Sequence, residues 1–250
     1  EKMAKTMQEM QLNYLDTAGN TCIKTKEIFI LIEGNKQNKI DIDKTAKAFS
    51  KTGLKVVFQF IHEQESINDT IRDIGDRTGV SLDTVHKTIQ ALRQMRYIIP
   101  VTKGKWIWNN RYELFEKWVN EYAAKLKPGL HVGNFRFVKE ENFNKWKQLK
   151  LFRSTCWGGE PAGELLTNYL NPETLTIYTT EPKADLIKNY KMIADPNGHI
   201  RVYQKFWSDA IQEKNTAPME IVYADLINTG NKRNIETAQK IYDQYLQDKF

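Results

Sequence analysis

One predicted helix carries a row of side chains that could read the edges of DNA base pairs. Its apolar residues face inward, and its outward positions hold short or hydrogen-bonding residues: Ser81, Thr84, His86, Lys87 and Gln90. Hydroxyl, amide and cationic groups are those that hydrogen-bond to bases in the major groove. The pattern therefore predicts sequence-dependent contacts with double-stranded DNA, whereas Asp83 in the first turn is explained by the helix dipole.

The same stretch of chain is basic and free of acidic residues. No Asp or Glu occurs between Asp83 and Glu113. Besides Lys87, the stretch contains five basic residues and a turn glycine, and phosphate contacts from such residues set the position of a protein on DNA. We expect these contacts from Arg93, Arg96, Lys103, Gly104, Lys105 and Arg111, with Lys103 and Lys105 straddling the minor groove or its flanking phosphates.

Hydrophobic spacing around this surface predicts a winged helix-turn-helix, in which a third helix enters the major groove. Asn68 is predicted to cap the second helix, which ends at Thr78-Gly79, and Ser81 to cap the third. Two strands around a glycine turn follow, at Tyr97–Val101 and Trp106–Trp108. The inward residues of the three helices are Leu54, Val57, Phe58 and Ile61, then Ile71 and Ile74, then Leu82, Val85, Ile89 and Leu92.

A long amphipathic helix is predicted next, from Tyr112 to Lys125, and Lys127-Pro128-Gly129 is predicted to end it and to mark a domain boundary. The C-terminal half has a mixed pattern. Its predicted elements are strands at 135–138, 175–178, 200–203 and 219–224 and helical stretches at 141–148, from Trp157 to about Tyr169, and at 234–247.

Two groups in this half could do chemistry. Gly158-Gly159 before a helix could bring backbone N–H groups to an anion, but Glu160 and Pro161 are typical of an ordinary first turn, which we favour. Asp225 and Glu236 could belong to a metal-dependent phosphoryl-transfer site. A cap or a salt bridge between Asp225 and Arg233 is the simpler interpretation.

The first fifty residues predict a helix followed by a hairpin, at Cys22–Lys24 and Ile28–Ile32. Asp16 and Lys24 are placed as in nucleases of the restriction-enzyme type, but Cys22 stands where such enzymes have a carboxylate, so we expect no active nuclease centre. The chain begins at Glu1 inside a helix-like stretch. We therefore expect this unit to be truncated.

Composition supports a globular protein of more than one domain. The 250 residues are 40% hydrophobic, with a formal net charge of +6 that permits a polyanionic partner. Two distant cysteines and four scattered histidines predict no disulfide, metal or cofactor, and indicate a cytosolic protein. No apolar run is long enough for a membrane helix. The predicted fold class is α+β, with domains at 1–50 (partial α/β unit), 51–128 (winged helix-turn-helix) and 129–250 (mixed α/β).

Several segments together resemble a known family. They are Tyr14–Asn20, Phe49–Lys55, Trp157–Ala162, Tyr223–Leu226 and Glu236–Ala238, in this order along the chain. The chain resembles the AbiEi-type antitoxins and transcriptional regulators of bacterial type IV toxin–antitoxin (abortive infection) systems. The resemblance covers nearly all 250 residues, and it rests on the order and spacing of these segments.

The resemblance implies a winged helix that represses the operon of a nucleotidyltransferase-like toxin, and a C-terminal domain involved in antitoxicity. It also implies residues before Glu1. Its DNA-reading positions carry over to Thr84, Lys87, Gln90, Lys103 and Lys105.

The expected function is a DNA-binding repressor without catalytic residues, whose expected partners are operator DNA and such a toxin. A homodimer is compatible with this function. Two alternatives stay open: a DNA-directed nuclease or nucleotidyl-transfer enzyme that uses Asp225 and Glu236, and a protein–protein adaptor whose winged helix binds no DNA.

Overall fold

The chain divides into two compact units, Glu1–Asp41 and Ile42–Phe250. The computed structural model describes residues 2–16, 18–35, 46–102, 104–211 and 215–250. Helices and sheets occur together with mostly antiparallel strand pairing, so the fold is α+β, as predicted. The predicted boundaries at 50 and 128 stay predictions.

The first unit contains one helix and a small antiparallel sheet. Helix α1 (Lys2–Glu9) precedes strands β1 (Tyr14–Leu15), β2 (Thr21–Lys24) and β3 (Phe29–Ile32), which pair in that order. The predicted hairpin between Cys22 and Ile32 is confirmed. Every residue of β3, the last strand of this sheet in the described residues, is exposed.

The second unit begins with three helices and a hairpin. They are α2 (Lys51–His62), α3 (Ile71–Thr78), α4 (Leu82–Gln94), β4 (Ile98–Thr102) and β5 (Lys105–Trp108). The apolar residues predicted to face inward from α2 are buried, as the helical spacing requires.

A helical rod connects the hairpin to the C-terminal part. It consists of α5 (Arg111–Glu121), a π-helical segment (Tyr122–Leu126) and α6 (Lys127–Leu130). The prediction that Lys127-Pro128-Gly129 ends the helix is wrong. Pro128 lies in the first turn of α6, where its missing N–H is tolerated.

A five-stranded mixed sheet forms the C-terminal part. Its strands are β6 (His131–Phe137), β7 (Thr155–Gly158), β8 (Leu175–Thr179), β9 (Met192–Ala194) and β10 (Ile200–Gln204), in the order β7-β8-β10-β6-β9. Strands β8 and β10 are parallel and the other neighbours are antiparallel. The strands predicted at 135–138, 175–178 and 200–203 are confirmed.

Helices complete this part of the chain, and one of them corrects a prediction. Residues 219–224 form no strand but the start of helix α10 (Met219–Ile227), whose first eight residues are all buried. Its two acidic residues, Glu220 and Asp225, are buried and paired, so the helix has no exposed polar face and its apolar run does not differ from that of a buried strand. The other helices are α7 (Glu141–Asn144), α8 (Gly159–Thr167), α9 (Lys183–Tyr190) and α11 (Lys232–Ile241).

Shorter helical turns occupy Gln64–Asn68, Trp146–Gln148, Asp209–Ile211 and Tyr242–Lys249. The helical stretches predicted at 141–148 and 234–247 are confirmed in outline. The helix predicted from Trp157 begins only at Gly159, because Thr155–Gly158 form strand β7. Strands β7 and β9 and helix α9 were not predicted. None of the helices in the described residues is long and apolar enough to cross a membrane.

Candidate nucleic-acid interface

Helix α4 presents the predicted DNA-reading residues on one exposed side. The Ser81 hydroxyl accepts a hydrogen bond from the Thr84 N–H and caps the helix, as predicted. Gly79 adopts the left-handed conformation (φ 63°) that lets the chain turn between α3 and α4. His86, Lys87 and Gln90 are exposed, because Val85, Thr88, Ala91 and Leu92 take the buried side of the helix.

Leu82 departs from its predicted place in the core. It leaves 48% of its surface exposed at the start of α4, although one of its methyl groups lies over Gly75 of α3. The buried face of α4 is completed by Thr88 and Ala91 instead. The exposed side of α4 therefore offers an apolar group beside its polar ones.

The polar side chains of α4 make weak contacts with one another along the helix surface. Lys87 Nζ lies 2.6 Å from Asp83 Oδ2, one helical turn back, and His86 Nε2 lies 3.2 Å from Gln90 Nε2. Exposed pairs of this kind contribute little to stability, typically under about 1 kcal/mol. A ligand group could therefore replace either contact at small cost.

The hairpin places further positive charge beside α4. The Arg93 guanidinium lies 5.4 Å from the Trp106 ring centre, a cation–π contact that joins α4 to β5. Arg96 and Lys105 are exposed, and Gly104 has φ 81° in the turn. Lys103, which was predicted to contact DNA from this turn, lies outside the described residues.

Asn68 has a different role from the predicted one. Helix α3 is capped by Thr70, whose hydroxyl accepts from the Asp73 N–H. The Asn68 side chain instead accepts from the Trp106 N–H at 2.8 Å and donates to the Trp106 carbonyl at 3.2 Å. Both bonds span 38 residues of chain and fasten β5 to the helical part.

Arg111, predicted to contact phosphate, is committed to contacts within the protein. Its guanidinium donates to the Ile61 carbonyl at 2.6 Å, to Gln64 Oε1 and to the Lys249 carbonyl, and it packs on the Phe250 ring. Burial lowers the pKa of Arg111. We therefore leave Arg111 out of the interface.

The two glycines of the Trp157–Ala162 segment face an anion that the protein itself supplies. The Gly159 N–H at the start of α8 donates to Asp225 Oδ2 at 3.1 Å. Gly158 lies against Tyr178, where a Cβ atom would come within 2.4 Å of the ring. The structural interpretation of this loop is thus the better one, because the Asp225 carboxylate already occupies the helix N-terminus.

Asp225 is the centre of a buried polar network. Besides Gly159 it accepts from the Tyr178 hydroxyl at 2.9 Å and pairs with Lys127 Nζ at 2.7 Å, while Tyr122 donates at 3.4 Å. Burial and the Asp225 charge raise the pKa of both tyrosines well above the usual range. The predicted pairing with Arg233 is wrong, because Lys127 at the end of the helical rod takes that place.

The carboxylates proposed for a metal site have separate partners. Glu236 accepts a hydrogen bond from the Tyr169 hydroxyl at 2.8 Å and lies 4.0 Å from Lys232 Nζ. The described residues contain no group of three or more His, Cys, Asp or Glu side chains that could hold a metal ion. The geometry therefore lends no support to phosphoryl transfer through Asp225 and Glu236.

Asp16 in the first unit organises a turn. Its carboxylate accepts from the backbone N–H groups of Ala18 and Asn20 and from the Asn20 amide, each at 2.8 Å. The Asn20 hydrogen bond lowers the pKa of Asp16 despite some desolvation. These hydrogen bonds give Asp16 a structural role in the turn, so no nuclease centre is needed to account for it.

Comparison with known proteins places the chain in a family. A family model described as the transcriptional regulator and AbiEi antitoxin of type IV toxin–antitoxin systems matches residues 107–247, more than half of the chain. Residues 50–116 are similar to a second family, the plasmid replication protein RepL of Firmicutes. No curated protein and no solved structure matches the chain. The protein therefore belongs to the AbiEi family of transcriptional regulators and antitoxins, which is not a family of enzymes.

Proposed function

We propose that helices α2–α4 and strands β4–β5 form a winged helix-turn-helix, and that the protein is a repressor that binds double-stranded operator DNA. The observation that most directly supports DNA binding is the exposed side of α4, where His86, Lys87 and Gln90 lie together next to the basic hairpin. Family membership supports the role in regulation, and the similarity of residues 50–116 to a plasmid replication protein supports DNA as the ligand.

The proposed roles of the individual residues follow from their positions on α4 and the hairpin. Thr84, His86, Lys87 and Gln90 read base edges from the first three turns, with Ser81 at the cap. A different set positions the duplex through its phosphates: Arg93 and Arg96 at the end of α4, and Gly104 and Lys105 on the hairpin. Lys103, outside the described residues, is proposed for the same role from its place in the sequence. The bonds from Asn68 to Trp106 hold the hairpin in place for this contact.

We further propose that the protein is the antitoxin of a type IV pair whose toxin resembles a nucleotidyltransferase. In this arrangement residues 51–128 bind the operator, and residues 129–250 serve antitoxicity. Support comes from the family match, which begins at β5 and continues almost to the end of the chain. The toxin encoded beside this gene should arrest growth when it is expressed alone, and co-expression of this protein should restore growth. An inactive toxin serves as the control.

Paired substitutions test the DNA-reading surface. Lys87→Ala should cost about 1–3 kcal/mol on the operator and little on a scrambled duplex, because a base contact is lost. Lys105→Ala should weaken binding to both duplexes alike and reduce the salt slope by about one, because a phosphate contact is lost. Fluorescence anisotropy on the two duplexes measures both effects.

A matched control is Lys188→Ala, which removes one exposed positive charge from α9 and should leave both affinities unchanged. If Lys87→Ala and Lys105→Ala had the same effect on both duplexes, the assignment of Lys87 to base reading would be wrong. If both behaved like Lys188→Ala, the surface would not bind DNA.

One observation favours the adaptor as a second candidate. Ile99 and Ile107 are cross-strand partners on the hairpin, and both are exposed, as is Val101. Exposed apolar groups on a hairpin suit a protein surface as well as DNA. If the chain is such an adaptor, Ile107→Ser would abolish partner binding, and the wild-type chain would bind operator DNA no more tightly than a scrambled duplex.

A further inference from the structure

A polar cavity of about 440 Å³ opens above the buried Asp225–Lys127 pair. Its lining includes Lys127, Thr174, Arg201, Asn228, Asn231 and Asn234. Segments that support the family resemblance meet at its floor, since Glu160 and Asp225 both line it. A cavity of this size and polarity requires an explanation that the proposed DNA contact does not supply.

The two carboxylates of the cavity are saturated by donors from the protein. Glu160 accepts from the backbone N–H groups of Glu173 and Thr174, at 2.6 and 3.0 Å, and from the Asn234 amide at 3.0 Å. Asp225 has the partners described above, including Lys127. Neither carboxylate is left to hold a cationic ligand.

Arg201 differs from the other charged groups of the cavity, because it has no partner of opposite charge among the described residues. In the part of the chain that the structure describes, no hydrogen bond or ion pair involves its guanidinium. It lies on β10 beside Thr176 of β8, so it stands on the sheet face that also carries Tyr178 and Tyr203. The Lys127 ammonium lies 5.1 Å from the Tyr203 ring centre over this same face.

Further positive charge lies at the start of α11. Asn231 caps this ten-residue helix and lines the cavity, and the first turn contains Lys232 and Arg233 but no acidic residue. Basic residues at a helix N-terminus are unfavourable by themselves, because the helix dipole is positive there. An anion in the cavity would compensate both the dipole and Arg201.

We propose that this cavity binds a small molecule through an anionic phosphate or carboxylate group, with Arg201 as the principal charged contact. The Asn231 amide N–H groups and the second N–H of Asn234 can donate to such a ligand, whereas Asn228 already donates to two backbone carbonyls. The volume is sufficient for a molecule of nucleotide size. The site does not depend on the proposed DNA binding, and its test uses no DNA.

Isothermal titration calorimetry of the purified chain tests the site. The probes are inorganic phosphate, succinate, AMP and uncharged adenosine. We expect either phosphate or succinate to bind, and which of the two binds shows whether the site takes a phosphate or a carboxylate group. If it takes a phosphate group, AMP should bind more tightly than inorganic phosphate. Adenosine should bind at least tenfold more weakly than AMP, a difference of about 1.4 kcal/mol.

Substitutions locate the site. Arg201→Gln should weaken anion binding at least tenfold, Arg201→Lys should retain part of it, and Lys188→Gln should leave it unchanged. Circular dichroism checks that each variant is folded, which the exposed position of Arg201 favours. Absence of binding by every anion, equal binding of adenosine and AMP, or anion binding that is unchanged in Arg201→Gln would overturn the proposal.

Discussion

Single side chains join parts of the second unit that lie far apart in sequence. Glu220 on α10 is fully buried, with His62 Nδ1 at 3.2 Å and Lys249 Nζ at 3.0 Å. Arg111 bonds to the Ile61 carbonyl near the same end of α2 and to the Lys249 carbonyl. The end of α2, the start of α5 and the C-terminus are thus tied together by charged groups.

Glu220→Gln should make the protein less stable in a pH-dependent manner. Burial opposes ionisation of Glu220, but the His62 hydrogen bond and the charges of His62 and Lys249 outweigh it and lower the pKa to about 2. The stabilisation, about 3 kcal/mol, is present above the ordinary pKa near 4.5 and is lost as pH falls towards 2. Urea unfolding at several pH values measures it.

The wild-type free energy of unfolding should therefore fall more steeply between pH 4.5 and 2 than that of Glu220→Gln. At pH 6 the variant should be the less stable protein, because the buried side chain at position 220 loses its charge-assisted contacts with the partly exposed His62 and Lys249. Parallel curves for the two proteins over this range would contradict the account of Glu220.

At the scale of elements, the hairpin depends on a side chain outside it. Among the described residues, strands β4 and β5 pair with no other strand, and a two-stranded hairpin is marginally stable in water. Asn68 supplies two bonds to the Trp106 backbone, and the Trp108 indole donates to the Gln64 carbonyl. The turn at Gln64–Asn68 is therefore the support of the hairpin.

Asn68→Ala should loosen the hairpin without unfolding the helices. Loss of its two hydrogen bonds should lower the free energy of unfolding by about 1–2 kcal/mol. Hydrogen exchange at the Trp106 N–H should become faster, while α2 should exchange as before. Asn120→Ala, at an exposed position of α5, is the control; unchanged exchange at Trp106 in Asn68→Ala would exclude the supporting role.

Local patterns predicted these elements well, and non-local packing explains the failures. Helix α4 and the hairpin follow from apolar spacing, the Ser81 cap and glycine turns, all read within a few residues. Helix α10 was mistaken for a strand because burial on all sides removes the polar face that reveals a helix. Asn68 was taken for a cap because its partner Trp106 lies 38 residues away.

At the scale of the whole molecule, the sequence located the exposed side of α4 but not the cavity. Lys127, Glu160, Arg201 and Asp225 come from four separate elements. An alternation was visible in β10, where Arg201 and Tyr203 lie on one face and the buried Ile200 and Val202 lie on the other. Nothing local indicated that they would meet, because only the folded sheet and helices bring them together.

The central claim concerns DNA, and one salt titration tests it most directly. Binding of the wild-type chain to the DNA upstream of its own gene is compared with binding to a scrambled duplex of equal length, across a range of salt concentrations. We predict much tighter binding to the upstream DNA and a logarithm of affinity that falls steeply and linearly with the logarithm of salt. Equal, weak binding to both duplexes would contradict the account.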